Sequence, residues 1–451
     1  MQLRAGPLTA DVDNGDIRGV SLRGVEVVQR LYATVRDDRW GTAETVVRSA
    51  VADGDGRSFT IRVEAESALA GQTVAVWRLH ATGTAAGTLD ADLEWRATTA
   101  FACNRIGLCT HHPTASWAGA VWRTRLDDGA QDAGRLGPSV LPQPVVDGLP
   151  LPAVGPFGTL RLERESAWTS LSSPGRPLEL EDQRNWGDAS YKSYPSPIPS
   201  APRLVREGET GRSGVRLAAG VDERPAPPAA PALRDAGRFP ALAAGSPVTV
   251  MAGAGPAVAA LQDAIGPVPA DAGRLGWFSE LNRRRDDLRG AGSLTWSLDP
   301  QVHATDDRSI MENVAAVRDQ LATAAAIVPG AECHVAVDLS HGRDDPRRGT
   351  SFEAAWLVGV LAGAAGGAAS ILVPAPAGRT AEVVGQMQEW DHAPAVIVDD
   401  PRRRVAGVGV RAPDGMHLLL ANLTPRRIGA PLAGRRLVLA PYEVRSVTAS
   451  A

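Results

Sequence analysis

Phe59-Thr60-Ile61-Arg62-Val63-Glu64-Ala65 alternates apolar and polar side chains with a period of two, the mark of a strand with one face buried and the other in water. The same alternation runs through Val74-Ala75-Val76-Trp77-Arg78-Leu79, Leu89-Asp90-Ala91-Asp92-Leu93-Glu94-Trp95 and Leu160-Arg161-Leu162-Glu163. Turn residues separate these short runs. Many one-sided strands predict packed antiparallel sheets rather than a parallel α/β core. No amphipathic helix is predicted before residue 250, so residues 1–221 are read as an N-terminal β-sandwich domain.

Residues 222–245 are rich in Pro and Ala (Pro225, Pro227, Pro228, Pro231, Pro240) and lack a core-forming pattern. They read as a linker. Beyond it, strands predicted over 248–252, 275–280, 293–298, 334–339 and 370–374 alternate with helices predicted over 257–265, 309–327, 351–365 and 381–390. Ser309 with Glu312 three residues on predicts a capping box. Such alternation implies right-handed βαβ units and a parallel sheet. Five strands in the span 246–392 fall short of the eight strands and about 250 residues of a closed barrel, so an incomplete barrel or an open sheet is expected there. Residues 393–451 return to strand patterning, as in Met416-His417-Leu418-Leu419-Leu420 and Arg436-Leu437-Val438-Leu439, and read as a small C-terminal β-sandwich.

The chain has 451 residues and a formal net charge of -4, which gives no electrostatic case for nucleic acid or an acidic membrane surface. Three cysteines, Cys103, Cys109 and Cys333, make neither a disulfide framework nor a CxxC pair. The start of the chain lacks an apolar signal segment, and the apolar run 354–369 is punctuated by glycine. A soluble cytoplasmic protein is expected. His111 and His112 are adjacent, so a strand would point them opposite ways, and no His/Cys cluster with metal-ligand spacing occurs. No metal or cofactor is expected.

Lysine occurs once, at Lys192, among 47 basic residues. Where drift has replaced lysine by arginine, a surviving lysine points to a need for a compact ammonium with a shiftable pKa. It sits in Glu181-Asp182-Gln183-Arg184-Asn185-Trp186-Gly187-Asp188-Ala189-Ser190-Tyr191-Lys192-Ser193-Tyr194, which holds two of the four tyrosines.

That window, together with Gly24-Val25-Glu26-Val27 through Trp40-Gly41-Thr42, Asn104-Arg105-Ile106-Gly107-Leu108-Cys109 to His112-Pro113, and Phe278-Ser279-Glu280-Leu281-Asn282-Arg283 followed by Asp299-Pro300-Gln301-Val302-His303-Ala304, resembles the D-apionate lactonase family. The resemblance implies a multidomain β plus α/β fold: an N-terminal β-sandwich of the galactose-mutarotase-like supersandwich type, a TIM-like (β/α) barrel and a C-terminal β-sandwich. Family members carry a full barrel, and this chain carries about the second half of one. A later barrel strand of the family ends in an acidic residue, whereas Ser370-Ile371-Leu372-Val373-Pro374-Ala375-Pro376 has none.

The activity implied is hydrolysis of a sugar-acid lactone, D-apionolactone-like, to the open-chain aldonate in carbohydrate catabolism. Lactone opening needs a base to activate water and a donor for the carbonyl oxyanion. Glu280, at the expected carboxyl end of a barrel strand, and His303, just after the next one, are candidate catalytic groups. Asp188 and Lys192 are read as a catalytic pair. Glu181, Asp182, Arg184, Asn185, Tyr191, Asn282 and Arg283 are candidate substrate-binding residues, with Arg184 offering a fork for a carboxylate. The expected ligand is a small sugar lactone, and a homodimer is expected to cover the open barrel edge. Two alternatives stand beside this reading. One is a glycoside hydrolase acting on apiose-containing glycosides, which needs a second carboxylate beside Glu280. The other is a non-catalytic carbohydrate-binding descendant.

Overall fold

In the computed structural model, residues 1–146, 149–196, 202–222, 230–245, 273–340, 344–432 and 435–449 are described. The chain divides into two compact units. The first comprises Met1–Pro138, Pro144–Asp182 and Ser190–Ala226, and the second Ser139–Gln143, Gln183–Ala189 and Pro227–Ala451.

The first unit consists of two large antiparallel sheets. One runs in the order Gln2–Ala5, Leu8–Asp13, Asp16–Leu22, Val25–Asp37, Phe101–Pro113, Ser190–Pro195, Leu178–Asp182, Val154–Phe157. The other contains the alternating runs 59–65, 74–79, 89–95 and 160–163. Phe59, Ile61, Val63 and Ala65 are buried and Arg62 and Glu64 are exposed, as a period of two requires. Each fully buried side chain of this size stabilises the sandwich by roughly 1.5–3 kcal/mol. Aromatic residues in this sheet stand directly opposite glycines: Phe59 faces Gly83, Trp95 faces Gly211, Trp122 faces Gly134 and Trp168 faces Gly220. A Cβ at Gly83 would lie 2.1 Å from Phe59 Cζ, so the ring lies across backbone only glycine leaves open. Cys103, Cys109 and Cys333 are free and buried.

The second unit carries a five-stranded parallel sheet, ordered Ala241–Gly245, Ser370–Pro374, Glu332–Val337, Ser293–Leu298, Gly273–Trp277. Leu294, Trp296 and Leu298 alternate onto one face and join Phe278, Val317, Leu321, Trp356 and Leu357 in a single core. The Trp296 indole donates to Gln320 Oε1 at 3.0 Å. Ser293, Thr295 and Ser297 take the opposite face, where His334 Nδ1 meets Ser370 Oγ at 2.8 Å. A five-stranded antiparallel sheet (Ala232–Arg238, Pro394–Asp399, Val405–Ala412, Gly415–Asn422, Val444–Ala449) and the hairpin Ile428–Leu432 with Arg435–Leu439 complete this unit. Val396, Val398, Leu418 and Leu420 pack there with Ile428 and Ala430.

Several expectations are corrected. Residues 232–238 and 241–245, read as linker, are strands. The first pairs antiparallel with Pro394–Asp399 and the second parallel with Ser370–Pro374, so the pairing partners, not the local pattern, make them strands. The strand expected over 275–280 ends at Trp277, and Phe278–Arg283 is a helix. The helix expected over 309–327 is broken into Asp307–Asn313 and Ala316–Ile327, and Asp306, not Ser309, caps the first by accepting from Ser309 N at 2.9 Å. The strand expected over 248–252 and the helix expected over 257–265 lie outside the described residues. No helix among the described residues is long and apolar enough to cross a membrane.

Candidate active site

In the second unit the carboxyl end of Ser293–Leu298 runs into Asp299, Pro300 and the loop carrying His303. Asp299 Oδ1 accepts from Gln301 N at 2.7 Å, and Gln301 Nε2 donates to Asp345 Oδ2 at 2.7 Å. Arg347 Nη2 bonds Gln301 Oε1 at 3.1 Å and Asp345 Oδ2 at 2.6 Å, while its Nη1 reaches Thr305 O at 2.9 Å. The loop is therefore tied on both sides of His303. The Arg347 guanidinium holds the Asp345 carboxyl down at about 2.

Gln183–Trp186 is a single 3-10 turn, and Gly187 follows at φ +93°. An ideal Cβ on Gly187 would sit 3.3 Å from Asp299 O and 3.4 Å from Leu298 Cδ1, a tight fit, and the positive φ is what favours glycine here. This turn delivers Asp188 to His303: Asp188 Oδ2 is hydrogen-bonded to His303 Nδ1. The other oxygen, Oδ1, accepts from Asn313 Nδ2 at 2.8 Å. Asn313 is itself fixed by Pro300 O, at 3.2 Å from Nδ2, and by Ala189 N, at 3.4 Å from Oδ1. The Trp186 ring meets the His303 ring edge-on at a centroid distance of 6.2 Å. Both partners of the dyad have less than a tenth of their side-chain surface exposed. A carboxylate gripping Nδ1–H fixes the tautomer and leaves Nε2 as the base.

Other residues expected at the site have structural partners. Arg184, fully buried, pairs with Asp319 at 3.0 Å and donates to Ser139 O at 3.2 Å. Asn185 Nδ2 donates to Leu141 O at 2.6 Å, and its Oδ1 accepts from Asn282 Nδ2 at 2.8 Å. Asn282 also donates to Val140 O at 3.2 Å. Arg283 Nε donates to Gln143 O at 2.6 Å, with its guanidinium 5.4 Å from the Trp186 ring centroid. Together they tie the 139–143 and 183–186 segments to the 278–283 helix. Glu280, in that helix's first turn, is half-buried, and its carboxylate makes no hydrogen bond or ion pair among the described residues.

The pairing expected between Asp188 and Lys192 is corrected. Lys192 belongs to the first unit, on Ser190–Pro195, directly opposite Glu181, and its ammonium lies 3.5 Å from the Glu181 carboxylate. Burial lowers the Lys192 pKa, opposed by Glu181. Strand alternation places Tyr191 and Asp182 on the other face of the same sheet, both buried. His111 and His112 do point opposite ways. His111 meets Tyr32 OH at 3.3 Å and Ser190 Oγ at 3.2 Å. His112 Nε2 meets Ser193 Oγ at 2.9 Å, and burial pushes its pKa down to about 3. No cluster of three metal-ligating side chains occurs among the described residues.

Sequence reasoning missed Asn313 as the second anchor of Asp188. Its signal was weak, a single amide at a helix end. It also missed Arg36 and Glu179, which alternation sets on the same sheet face as Lys192.

Three domain models of the D-apionate lactonase family match in chain order: the N-terminal domain over residues 1–221, the TIM barrel domain over 206–340 and the C-terminal immunoglobulin-like domain over 402–447. A D-apionate lactonase from Brucella anthropi is 30% identical over 200 residues, which span 44% of this chain and 31% of that protein. Among solved structures, a galactose 1-epimerase from Lactobacillus acidophilus is 10% identical, covering 49% of this chain and 93% of that one, with a TM-score of 0.34. A putative aldose 1-epimerase from Escherichia coli K12 is 14% identical, covering 49% and 98%, with a TM-score of 0.29. A glycoside hydrolase family 97 enzyme from Pseudoalteromonas covers 100% of this chain and 98% of its own at 7% identity and a TM-score of 0.33. Likenesses this weak carry no argument about the site.

Proposed function

This chain belongs to the D-apionate lactonase family, and on that premise we propose that it opens a sugar-acid lactone of the D-apionolactone type to the open-chain aldonate. The observation that carries the reading is the Asp188–His303 hydrogen bond, with Asp188 anchored by Asn313. His303 Nε2 takes a proton from the water that attacks the lactone carbonyl. The resulting imidazolium, stabilised by Asp188, returns that proton to the ring oxygen as the C–O bond breaks. The products are a carboxylate, a hydroxyl and one released proton. General acid–base catalysis of this kind contributes about 10²–10⁴-fold. Glu280, half-buried and unpartnered, accepts a substrate hydroxyl. Lys192, held by Glu181, takes no step in this scheme.

A pH-stat assay of purified protein on a panel of five- and six-membered aldonolactones tests this. A saturable rate above the spontaneous one on five-membered lactones supports it. No excess rate on any of them overturns it. A homodimer covering the sheet edges that have no neighbouring strand among the described residues belongs to the same reading. A monomer mass by light scattering at micromolar concentration contradicts that part.

A further inference from the structure

The sheet face that carries Lys192 holds more positive charge than its own carboxylates answer. Arg36 stands directly opposite Arg105, His111 opposite Lys192, Lys192 opposite Glu181 and Tyr194 opposite Glu179. Alternation therefore sets Arg36, Arg105, Lys192, Tyr194, Glu179 and Glu181 on one face. Arg105 is 5% exposed; among the described residues it makes no ion pair, and its Nε has no hydrogen-bond partner. Its guanidinium lies 3.5 Å from the Tyr194 ring centroid and 4.7 Å from that of Trp40. Arg36, half-buried, bonds the neutral Thr42 hydroxyl. Of the two carboxylates, Glu181 is engaged by Lys192 at 3.5 Å. Glu179 accepts from Ser196 at 2.7 Å, and burial pushes its pKa up.

Like charges directly opposite each other on a sheet are destabilising, and a buried charge left without a counter-ion costs several kcal/mol. Two arginines in register, neither ion-paired, call for an anion. Trp40 adds a second, independent sign. It adopts φ +66°, a left-handed conformation that is strained for so bulky a residue. The turn is fixed by Asp37 Oδ1, which accepts from Arg39 N at 2.9 Å and Gly41 N at 2.6 Å. A Cβ at Gly41 would lie 2.6 Å from Asp37 Oδ2. The strain is held in place, and its result is a half-buried indole lying over Arg105.

We propose that this face of the N-terminal sheet binds the carboxylate of an open-chain polyhydroxy acid, an aldonate, with Arg36 and Arg105 donating to the carboxylate and Trp40 covering the carbon chain. Planar guanidinium forks suit a carboxylate, and an aromatic face suits the C–H side of a sugar chain. The residues stand on the first unit alone, while the choice of an aldonate rests on the lactonase reading, whose product it is.

The test is calorimetric titration and thermal melting of the full chain with sodium gluconate. Sorbitol serves as the uncharged control and sodium chloride, at equal ionic strength, as the salt control. A ligand that binds only the folded state raises the melting temperature with its concentration. Gluconate is expected to do so, and neither control is. Arg105→Gln is expected to weaken gluconate at least tenfold while leaving the unliganded melting temperature unchanged or higher, because it removes an unanswered buried charge. Arg36→Gln is expected to weaken gluconate as well and serves if Arg105→Gln does not fold. His303→Ala is expected to keep the full gluconate response, so failure of lactone opening and failure of aldonate binding are read separately. Gluconate stabilising no more than chloride overturns the proposal. So does wild-type affinity in Arg105→Gln or Arg36→Gln, or loss of the response in His303→Ala.

Discussion

Asp188→Asn changes one atom and tests the dyad without altering its shape. In the native chain Asp188 Oδ2 bonds His303 Nδ1 while Oδ1 accepts from Asn313 Nδ2 at 2.8 Å. A carboxylate accepts at both oxygens; an amide has one acceptor and one donor end. If the new carbonyl oxygen keeps Asn313, the amide NH₂ faces His303 and favours the tautomer with its proton on Nε2, which cannot act as base. If the carbonyl keeps His303, two amide NH₂ groups face each other. Either way the imidazolium formed during turnover loses its counter-charge. Loss of the general-base contribution predicts a fall in kcat/KM of about 10²–10⁴-fold, or roughly 2.7–5.4 kcal/mol in the barrier. KM should change little, since the dyad acts on water. The folded state loses one charge-assisted bond, about 1.5–3 kcal/mol, so the variant still folds. Lactone opening followed by pH-stat, beside a thermal melt, reads both quantities. Turnover within threefold of wild type would refute the reasoning.

Further outcomes follow from burial. The His112 pKa is held down at about 3 against about 6.5 in an unfolded chain, so the unfolded state binds the extra proton. Stability from this residue is fully present above pH 6.5 and is lost at roughly 1.4 kcal/mol per pH unit as pH falls toward 3; His112→Gln should flatten that slope in urea titrations between pH 6.5 and 4, and an unchanged slope would refute it. Gly187→Ala forces a left-handed conformation costing about 1–2 kcal/mol and shifts Asp188, so kcat should fall together with the melting temperature; loss of stability with intact kcat would show that the turn does not position the dyad. Lys192→Ala removes the ammonium 3.5 Å from Glu181, but Arg36 and Arg105 share that face, so denaturant unfolding should show a loss smaller than the about 3–5 kcal/mol of a wholly unpaired buried carboxylate; a loss of that full size would contradict the charge balance drawn for this face.

The sandwich was legible in residues such as Phe59, Ile61 and Val63 because an antiparallel strand with one wet face writes its period into the sequence. The parallel strands, buried on both faces, were legible instead as short runs alternating with helical stretches. Residues 232–245 were not: Ala232-Leu233-Arg234-Asp235 becomes a strand only by pairing with Val396–Asp399, more than 150 positions away. Glu280 shows the same limit at short range, where one turn of helix follows Trp277 directly. At the site, His303 and Asp188 were both picked out, but Asp188 was matched to the lysine four residues on. Alternation from Ser190 onward fixes Lys192 against Glu181, whereas the positive φ of Gly187 turns Asp188 away toward a histidine 115 residues distant. Nothing in a single sequence encodes that meeting.

The account's central claim is that His303, oriented by Asp188, is the base of lactone opening, and chemical rescue tests it most directly. The initial rate of His303→Ala on a five-membered aldonolactone would be measured with increasing imidazole, beside an enzyme-free series at the same imidazole concentrations. The account predicts a variant at least about 10² slower than wild type, with a rate that climbs with imidazole above the enzyme-free series because the free base enters the space the side chain vacated. A His303→Ala enzyme as fast as wild type, or a slow one whose imidazole response equals that of the enzyme-free series, would contradict it.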